Sequence, residues 1–415
     1  MSKMTSSRPR PELLAPAGSF EKLVTAIHYG ADAIYLGGKH FSLRARAANF
    51  SEGALREAVV YAHGCGVKVY ITVNIFAHQK DFDQLASYLS FLDEIGADAL
   101  IVSDPGVLQV ARRVVPRMPI HLSTQANVTN LESARFWQEQ GVSRLNLARE
   151  LSLQEIAAIS AKVAADIEVF VHGALCISYS GRCLLSHYLT GRSANRGDCA
   201  HPCRYRYALL EEKRPGQYFP VEENDRGTYL FNSKDLCLLA RLPELLAAGV
   251  DSLKIEGRMK GIYYVGGVVR VYRAALDYLA EALEIDPVYF PTAFLDELAT
   301  VGTRSWTENF IDGPPGAQGL LYDSPRAAQD YVPLGVVRDH GPEPLVEVRH
   351  PVRLGDRFDY LGQRLASSTH TVAHMKNPMT GLAVEQAHPG DRILLTASPS
   401  AAGWEIHALL RKAVG

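Results

Sequence analysis

The phrase Gly30-Ala31-Asp32-Ala33-Ile34 returns as Gly96-Ala97-Asp98-Ala99-Leu100, and in looser form as Gly141-Val142-Ser143-Arg144-Leu145 and Gly249-Val250-Asp251-Ser252-Leu253. In each, a glycine follows a helix-like stretch and a short apolar run comes next. Glycine takes the left-handed conformation that ends a helix at little cost, and a near-continuous apolar run suits a parallel strand covered on both faces. Each phrase therefore reads as the junction between a helix and the next parallel strand.

Working outward, the pattern predicts strands at Glu12 to Ala15, Ala33 to Leu36, Lys68 to Val73, Ala99 to Val102, Ile120 to Ser123, Arg144 to Leu147, Glu168 to Val171 and Ser252 to Ile255. Helices are predicted at Phe20 to Tyr29, Glu52 to His63, Phe82 to Ile95, Gly106 to Val115, Leu131 to Gln140, Leu153 to Val163, Asp235 to Ala248 and Tyr263 to Leu283. Eight such units in roughly 270 residues fit a (β/α)8 TIM-type barrel of the α/β class, and an open doubly wound sheet is the competing arrangement. The seventh unit is interrupted: a cysteine-rich insertion of about 60 residues, 173–237, follows strand 7, on the end of the barrel where loops build active sites. From about Tyr331 the pattern changes to short alternating strands at Val332 to Val337, Pro344 to Val348, Asp356 to Leu361 and Asp391 to Ala397. That spacing suggests a small antiparallel barrel. The expected domains are thus the main barrel at 11–285 and a small β domain at 287–415.

The chain has 415 residues, 47% apolar and 21% charged, with 43 Lys and Arg against 45 Asp and Glu for a formal charge of −2. This is a globular composition, and it provides no whole-molecule basic field to attract nucleic acid or anionic lipid. Any RNA must be held by local patches. No secretion-type leader and no run of 18 apolar residues is present, so the chain reads as cytoplasmic with no membrane partner.

Five of the six cysteines fall in the 62 residues from 176 to 237, spaced Cys176-x6-Cys183-x15-Cys199-x3-Cys203-x33-Cys237. A large chain without a secretion signal has little use for disulfide staples, so the cluster points to metal. Zinc sites usually show two close Cys pairs, and only Cys199 and Cys203 come near that. Wide, uneven thiol spacing fits a [4Fe-4S] cluster at least as well, with zinc as the alternative. Cys65, alone in Gly64-Cys65-Gly66, reads as a small core hydrophobe.

Several long stretches carry a family resemblance: Leu14-Ala15-Pro16-Ala17-Gly18, Arg44-Ala45-Arg46-Ala47-Ala48-Asn49-Phe50, Gly181-Arg182-Cys183-Leu184-Leu185-Ser186, Asn195 to Arg204, Asn232-Ser233-Lys234-Asp235-Leu236-Cys237 and Leu253 to Lys260. In order and wording they resemble the collagenase-like peptidase U-32 family over about residues 11 to 280. The family name implies a protease, a hydrolase. Its better understood branches imply instead iron-sulfur, oxygen-independent hydroxylation: of tRNA wobble uridine to 5-hydroxyuridine with prephenate as a required metabolite, of an rRNA cytidine, or of a ubiquinone precursor. By motif, the resemblance makes Cys176, Cys183, Cys199 and Cys237 the cluster ligands, with Cys203 as an alternative fourth. It leaves the electron donor open.

The residues themselves favour hydroxylation over hydrolysis. No His-Glu-x-x-His, Gly-x-Ser-x-Gly or phosphate-loop signature occurs, and only His172 with Cys176 could form a thiol-protease pair. Polar residues follow apolar strands at Asn74, Asp104, Gln125, Glu150, His172, Glu256 and Arg258, where a barrel presents side chains to its mouth, although each could simply cap the next helix. Among them Glu256 is the first acid/base candidate and His172 the second, with Lys254 and Arg258 as anion holders in the catalytic set. For substrate the reading selects Arg44, Arg46, Asn49, Asn74, Gln125 and Arg204. The segments Lys39 to Arg46 and Arg204-Tyr205-Arg206-Tyr207 interleave guanidinium groups with aromatics that could stack an RNA base, and a half-buried strand explains the same pattern. Arg44 and Arg46 could instead clamp a small carboxylate such as prephenate.

Overall fold

The structure is a computed structural model that describes residues 10–42, 49–175, 183, 185–192, 194, 198–202, 223–224, 227–228, 234–282, 291–302, 305–313 and 330–414. Seven parallel strands follow one another at β1 (Glu12–Pro16), β2 (Ala33–Leu36), β3 (Lys68–Val73), β4 (Ala99–Val102), β5 (Ile120–Leu122), β6 (Arg144–Asn146) and β7 (Asp166–Ala174). A short strand β8 (Asp235–Cys237) precedes the eighth barrel strand, β9 (Ser252–Ile255). Because β9 pairs in parallel with both β1 and β7, the sheet closes on itself and the open doubly wound arrangement is excluded. The alternating helices are α1 (Phe20–His28), α2 (Glu52–Gly64), α3 (Leu85–Glu94), α4 (Pro105–Val114), α5 (Leu131–Glu139), α6 (Leu153–Ser160), α7 (Leu185–Thr190), α8 (Leu242–Ala247) and α9 (Ile262–Glu281).

The repeated phrase has a physical reason. Its four glycines all take positive φ, between 79° and 92°. The residue after each one donates its N–H to a carbonyl five residues back, as in Ala31 to Ala26 and Ala97 to Leu92, which closes the helix end. The aspartate then sets the register of the neighbouring strand. The carboxylates of Asp32, Asp98 and Asp251 accept the backbone N–H of Leu13, Val69 and Ile167, at 2.8, 2.7 and 2.8 Å, while their own N–H groups donate to the carbonyls of those same residues. Each phrase thus stops a helix and aligns a strand pair in five residues.

Three expectations are corrected. Asp235 to Ala248 is not one helix: β8 runs antiparallel to β7, a 3-10 turn follows at Leu239–Arg241, and α8 covers only Leu242–Ala247. The reason is that β7 continues to Ala174 while β6 pairs only with Asp166 to Glu168, so the rest of β7 offers backbone groups that β8 satisfies. The helix predicted from Phe82 begins at Leu85, after a 3-10 turn over Gln79–Asp83 in which the Asp81 carboxylate accepts the His78 N–H. Cys65 is exposed at the C-cap of α2 and contributes nothing to the core.

The C-terminal residues form a closed antiparallel barrel in the order Tyr331–Asp339, Leu345–Val348, Arg392–Ser398, Ser368–Lys376, Arg357–Leu361, Leu409–Ala413. It has its own core, including Val337, Phe358, Met375 and Trp404. It seats on α1 and α9 of the large barrel. The Tyr29 hydroxyl donates to the Leu361 carbonyl at 2.7 Å and accepts from the Leu409 N–H at 2.8 Å. The fully buried Arg270 donates to the carbonyls of Gly362, Arg364 and Leu365 and to the Glu297 carboxylate. Glu297 lies on α10 (Thr292–Ala299), which packs on α9. Among the described residues no helix is long and apolar enough to cross a membrane.

Candidate active site

Strand pleating sends alternate residues inward. On β3 the inward set is Tyr70, Thr72 and Asn74, a floor-to-mouth sequence from aromatic to hydroxyl to amide. At the floor, Glu12 accepts from the Tyr70 hydroxyl at 2.6 Å and from Arg144 at 2.5 Å. Arg144 also lies 3.7 Å from Glu168, and Glu168 accepts from the Lys254 ammonium at 2.6 Å. All four charges alternate in sign within the barrel. Lys254 is 3% exposed with its ammonium 4.6 Å from the Tyr35 ring centre, so the structure places it in this buried ion network below the mouth. His121 packs edge-on against Tyr70, and burial, with Arg144 and Lys254 adding, holds its imidazole well below the ordinary histidine range.

Two polar clusters stand above that floor. In the first, Arg258 donates to Thr72 Oγ1 at 2.9 Å and Ser42 Oγ at 2.8 Å, and those two hydroxyls are 2.9 Å apart. Arg258 is 3% exposed. Its loop is pinned by the Lys22 ammonium, which donates to the Arg258 carbonyl at 3.2 Å. Gly37 is required opposite it, since a Cβ there would stand 2.8 Å from the guanidinium and 2.3 Å from Ser42 Oγ. In the second cluster, Asn74 Nδ2 donates to Gln125 Oε1 at 2.9 Å and to Ser123 Oγ at 3.2 Å, and Ser123 Oγ also hydrogen-bonds Gln125.

Glu256 lies beside the first cluster. It is partly exposed, its Oε2 accepts from the Tyr35 hydroxyl at 3.3 Å, and its N–H and carbonyl are tied to the His172 carbonyl and the Tyr264 hydroxyl. Gly173, at φ 112°, passes so close that a Cβ would stand 2.4 Å from the Glu256 carbonyl oxygen. His172 is 2% exposed between the rings of Tyr264 and Tyr272, and burial lowers its imidazole to about 4. It is therefore neutral and turned away from solvent. Asp104 accepts from the N–H groups of Gly106 and Val107 as the cap of α4. Asn49 and Glu150 are both partly exposed.

Of the cysteines, Cys183 and Cys199 are partly exposed and Cys237 is buried on β8, in register with His172 of β7. Burial pushes the Cys237 thiol up to about 11. Cys183, Cys199 and Cys237 offer sulfur, the ligand type of a thiolate-held cluster, and no group of three metal-ligating side chains occurs among the described residues. Cys176, Cys203, Arg44, Arg46 and Arg204 lie outside the described residues.

Ser42, Thr72, Ser123 and Tyr35 belong to the site, and the sequence pattern singles out none of them, although Ser42 lies within the Lys39 to Arg46 segment. Thr72 was legible, because period two on β3 links it to Tyr70 and Asn74. Ser42 had no such signal, since the loop after β2 has no period to follow.

A closed (β/α)8 barrel with a polar mouth and a cysteine-bearing insertion after its seventh strand is the class this chain represents. The model of Peptidase family U32 matches residues 18–320, and the chain belongs to that family. It is 39% identical over 368 residues to tRNA hydroxylation protein P1 of Bacillus subtilis (strain 168), covering 88% of this chain and 86% of that one. It is 36% identical over 411 residues to tRNA hydroxylation protein P of Escherichia coli (strain K12), covering 89% of each. The 23S rRNA 5-hydroxycytidine C2501 synthase of the same strain is 37% identical over 372 residues, which are 87% of this chain and 54% of that one.

Proposed function

We propose that this chain hydroxylates RNA, and specifically tRNA wobble uridine to 5-hydroxyuridine without molecular oxygen. The observation that carries this reading is likeness along nearly nine tenths of both chains to two proteins named for tRNA hydroxylation. The rRNA-modifying relative is matched over only about half its length, which favours tRNA over rRNA.

A [4Fe-4S] cluster would be held by Cys176, Cys183, Cys199 and Cys237, with Cys203 as the alternative fourth ligand. When bound, it supplies one-electron chemistry. The amides of Asn74 and Gln125 suit the edge of an extruded uracil, each offering donor and acceptor within one cluster. Glu256 is assigned the proton transfer at the reacting carbon, since it combines partial exposure with a tyrosine hydrogen bond. Arg258, steadied by Ser42 and Thr72, is assigned the anion, either the nucleotide phosphate or a carboxylate co-substrate such as prephenate, in concert with Arg44 and Arg46. The peptidase alternative draws on His172 as a base, and an imidazole that is 2% exposed between two tyrosine rings, its basicity lowered by burial, does not suit that role.

The test is to express the chain in a bacterium that lacks its own tRNA hydroxylation protein and to measure tRNA nucleosides by mass spectrometry. Restored 5-hydroxyuridine, lost in Cys176→Ser and Cys237→Ser together with iron, labile sulfide and visible absorbance under anaerobic purification, supports the proposal. Restoration that survives both substitutions removes the cluster from it. No 5-hydroxyuridine, with peptide hydrolysis by the purified chain, returns the peptidase reading.

A further inference from the structure

On the other side of the Gly37–Gly38 backbone from the mouth lies a cavity of about 320 Å3, lined in part by Lys39 and His40, the first residues of a segment whose sequence suits base stacking. Gly37 and Gly38 are consecutive and face opposite ways. A Cβ on Gly37 would strike Ser42 and Arg258 in the mouth, whereas a Cβ on Gly38 would stand 2.2 Å from the Tyr88 hydroxyl in this cavity. One thickness of backbone separates the two spaces. The inner wall is apolar and aromatic, made by Phe50, Leu55 and Tyr88, all nine-tenths buried or more. The rim is polar: Lys39, His40 and Glu52 are exposed there. The Tyr88 hydroxyl is buried at that wall, close against the backbone of Gly38.

This lining selects a class of ligand. One ammonium and one carboxylate at the rim leave the cavity close to neutral, which disfavours a bare carboxylate or phosphate. An aromatic wall with a buried hydroxyl and a rim carboxylate suits a flat heterocycle, which stacks on rings and offers N–H groups at its edge. The volume is at the lower end for small-ligand sites. We infer that this cavity receives the base of a nucleotide flanking the one that is hydroxylated, so that the Gly37–Gly38 backbone lies between two successive bases. The inference rests on the RNA reading above and adds a second, context-reading base pocket to it.

The experiment uses the full chain and a synthetic anticodon stem-loop, in normal form and with an abasic nucleotide on either side of the target uridine. Two variants probe the cavity: Tyr88→Phe removes only the hydroxyl, and Gly53→Leu projects from the rim, where a Cβ would meet nothing within 4 Å. Thermal unfolding confirms that both fold. In the unaltered chain, one abasic neighbour weakens binding on the order of tenfold, as loss of a stacked base does. Gly53→Leu abolishes that difference, binding normal and abasic RNA alike, and Tyr88→Phe reduces it. An abasic penalty that persists unchanged in both variants, or is absent from the unaltered chain, overturns the inference. If 5-hydroxyuridine is still restored in cells, the pocket alone has failed; if it is not, the RNA reading has failed first.

Discussion

Glu256 and Lys254 are two residues apart on one strand and its exit, yet they have different surroundings. Glu256 is partly exposed beside Tyr35, so Glu256→Gln keeps its shape and removes its proton chemistry. The expected result is a fall of about 10²–10⁴-fold in 5-hydroxyuridine formation with an unchanged melting temperature, read by nucleoside mass spectrometry and thermal unfolding. Lys254 sits within the barrel on Glu168. Lys254→Met strands a carboxylate that is 1% exposed, at a cost of roughly 3–5 kcal/mol. The double substitution Lys254→Met with Glu168→Met is expected to recover much of that loss in urea unfolding. A Lys254→Met variant as stable as the unaltered chain would show that the pair contributes nothing.

At the level of elements, Gly173 is the tightest joint between β7 and the loop that carries Glu256. Gly173→Ala combines a strained φ of 112° with an approach of 2.4 Å to the Glu256 carbonyl oxygen. It is expected to cost on the order of 1–3 kcal/mol and to lower activity further than stability, because Glu256 must move. Parallel kinetics and denaturation separate the two effects. The same elements show what a sequence can and cannot reveal. β2, β4, β6 and β9 were legible because each follows the same glycine phrase, and β2, β3, β4 and β9 have the bounds that the pattern predicts. β8 was not legible: its reason for existing is the overhang of β7, a fact about a neighbour. Ser368–Lys376 and Leu409–Ala413 were also hidden. Ser368-Thr369-His370-Thr371 and Arg411-Lys412 put polar residues where alternation is sought, and His370 and Arg411 are nonetheless buried. In the mouth, residues that extend a strand's period could be found, whereas Ser42 comes from a loop and is known only by what it touches.

Across the whole molecule, buried histidines tie stability to acidity, among them His28 beside the small barrel and His121 within the large one. Burial, then His407, lowers His28 to about 4 from an ordinary 6.5, and burial lowers His121 well below 6.5. Both are neutral when folded, so on acidification the unfolded chain takes up protons first. The contribution of each is complete above about pH 6.5 and is lost as pH falls, for His28 toward about 4, at up to about 1.4 kcal/mol per pH unit. Unfolding free energies from pH 7.5 to 4.5 should fall with that slope, and His28→Gln should flatten it. Arg270 governs the seat between the two barrels. Arg270→Met leaves Glu297 and three carbonyls without its donors, and a loss on the order of 3–5 kcal/mol is expected in denaturant titration.

That seat also constrains how the molecule is made on the ribosome. β1 pairs with β2 as soon as that strand is made, but its other edge stays open until β9 emerges, more than 230 residues later, and Tyr29 waits for Leu361 and Leu409. One edge of the first strand to be synthesised is therefore among the last to be secured, and the small barrel acts as a clasp over the seam where the large one closes. Ribosome-bound chains stopped before Leu409 should present the faces of α1 and α9 to chaperones and proteases, and release from that exposure should coincide with completion of the small barrel.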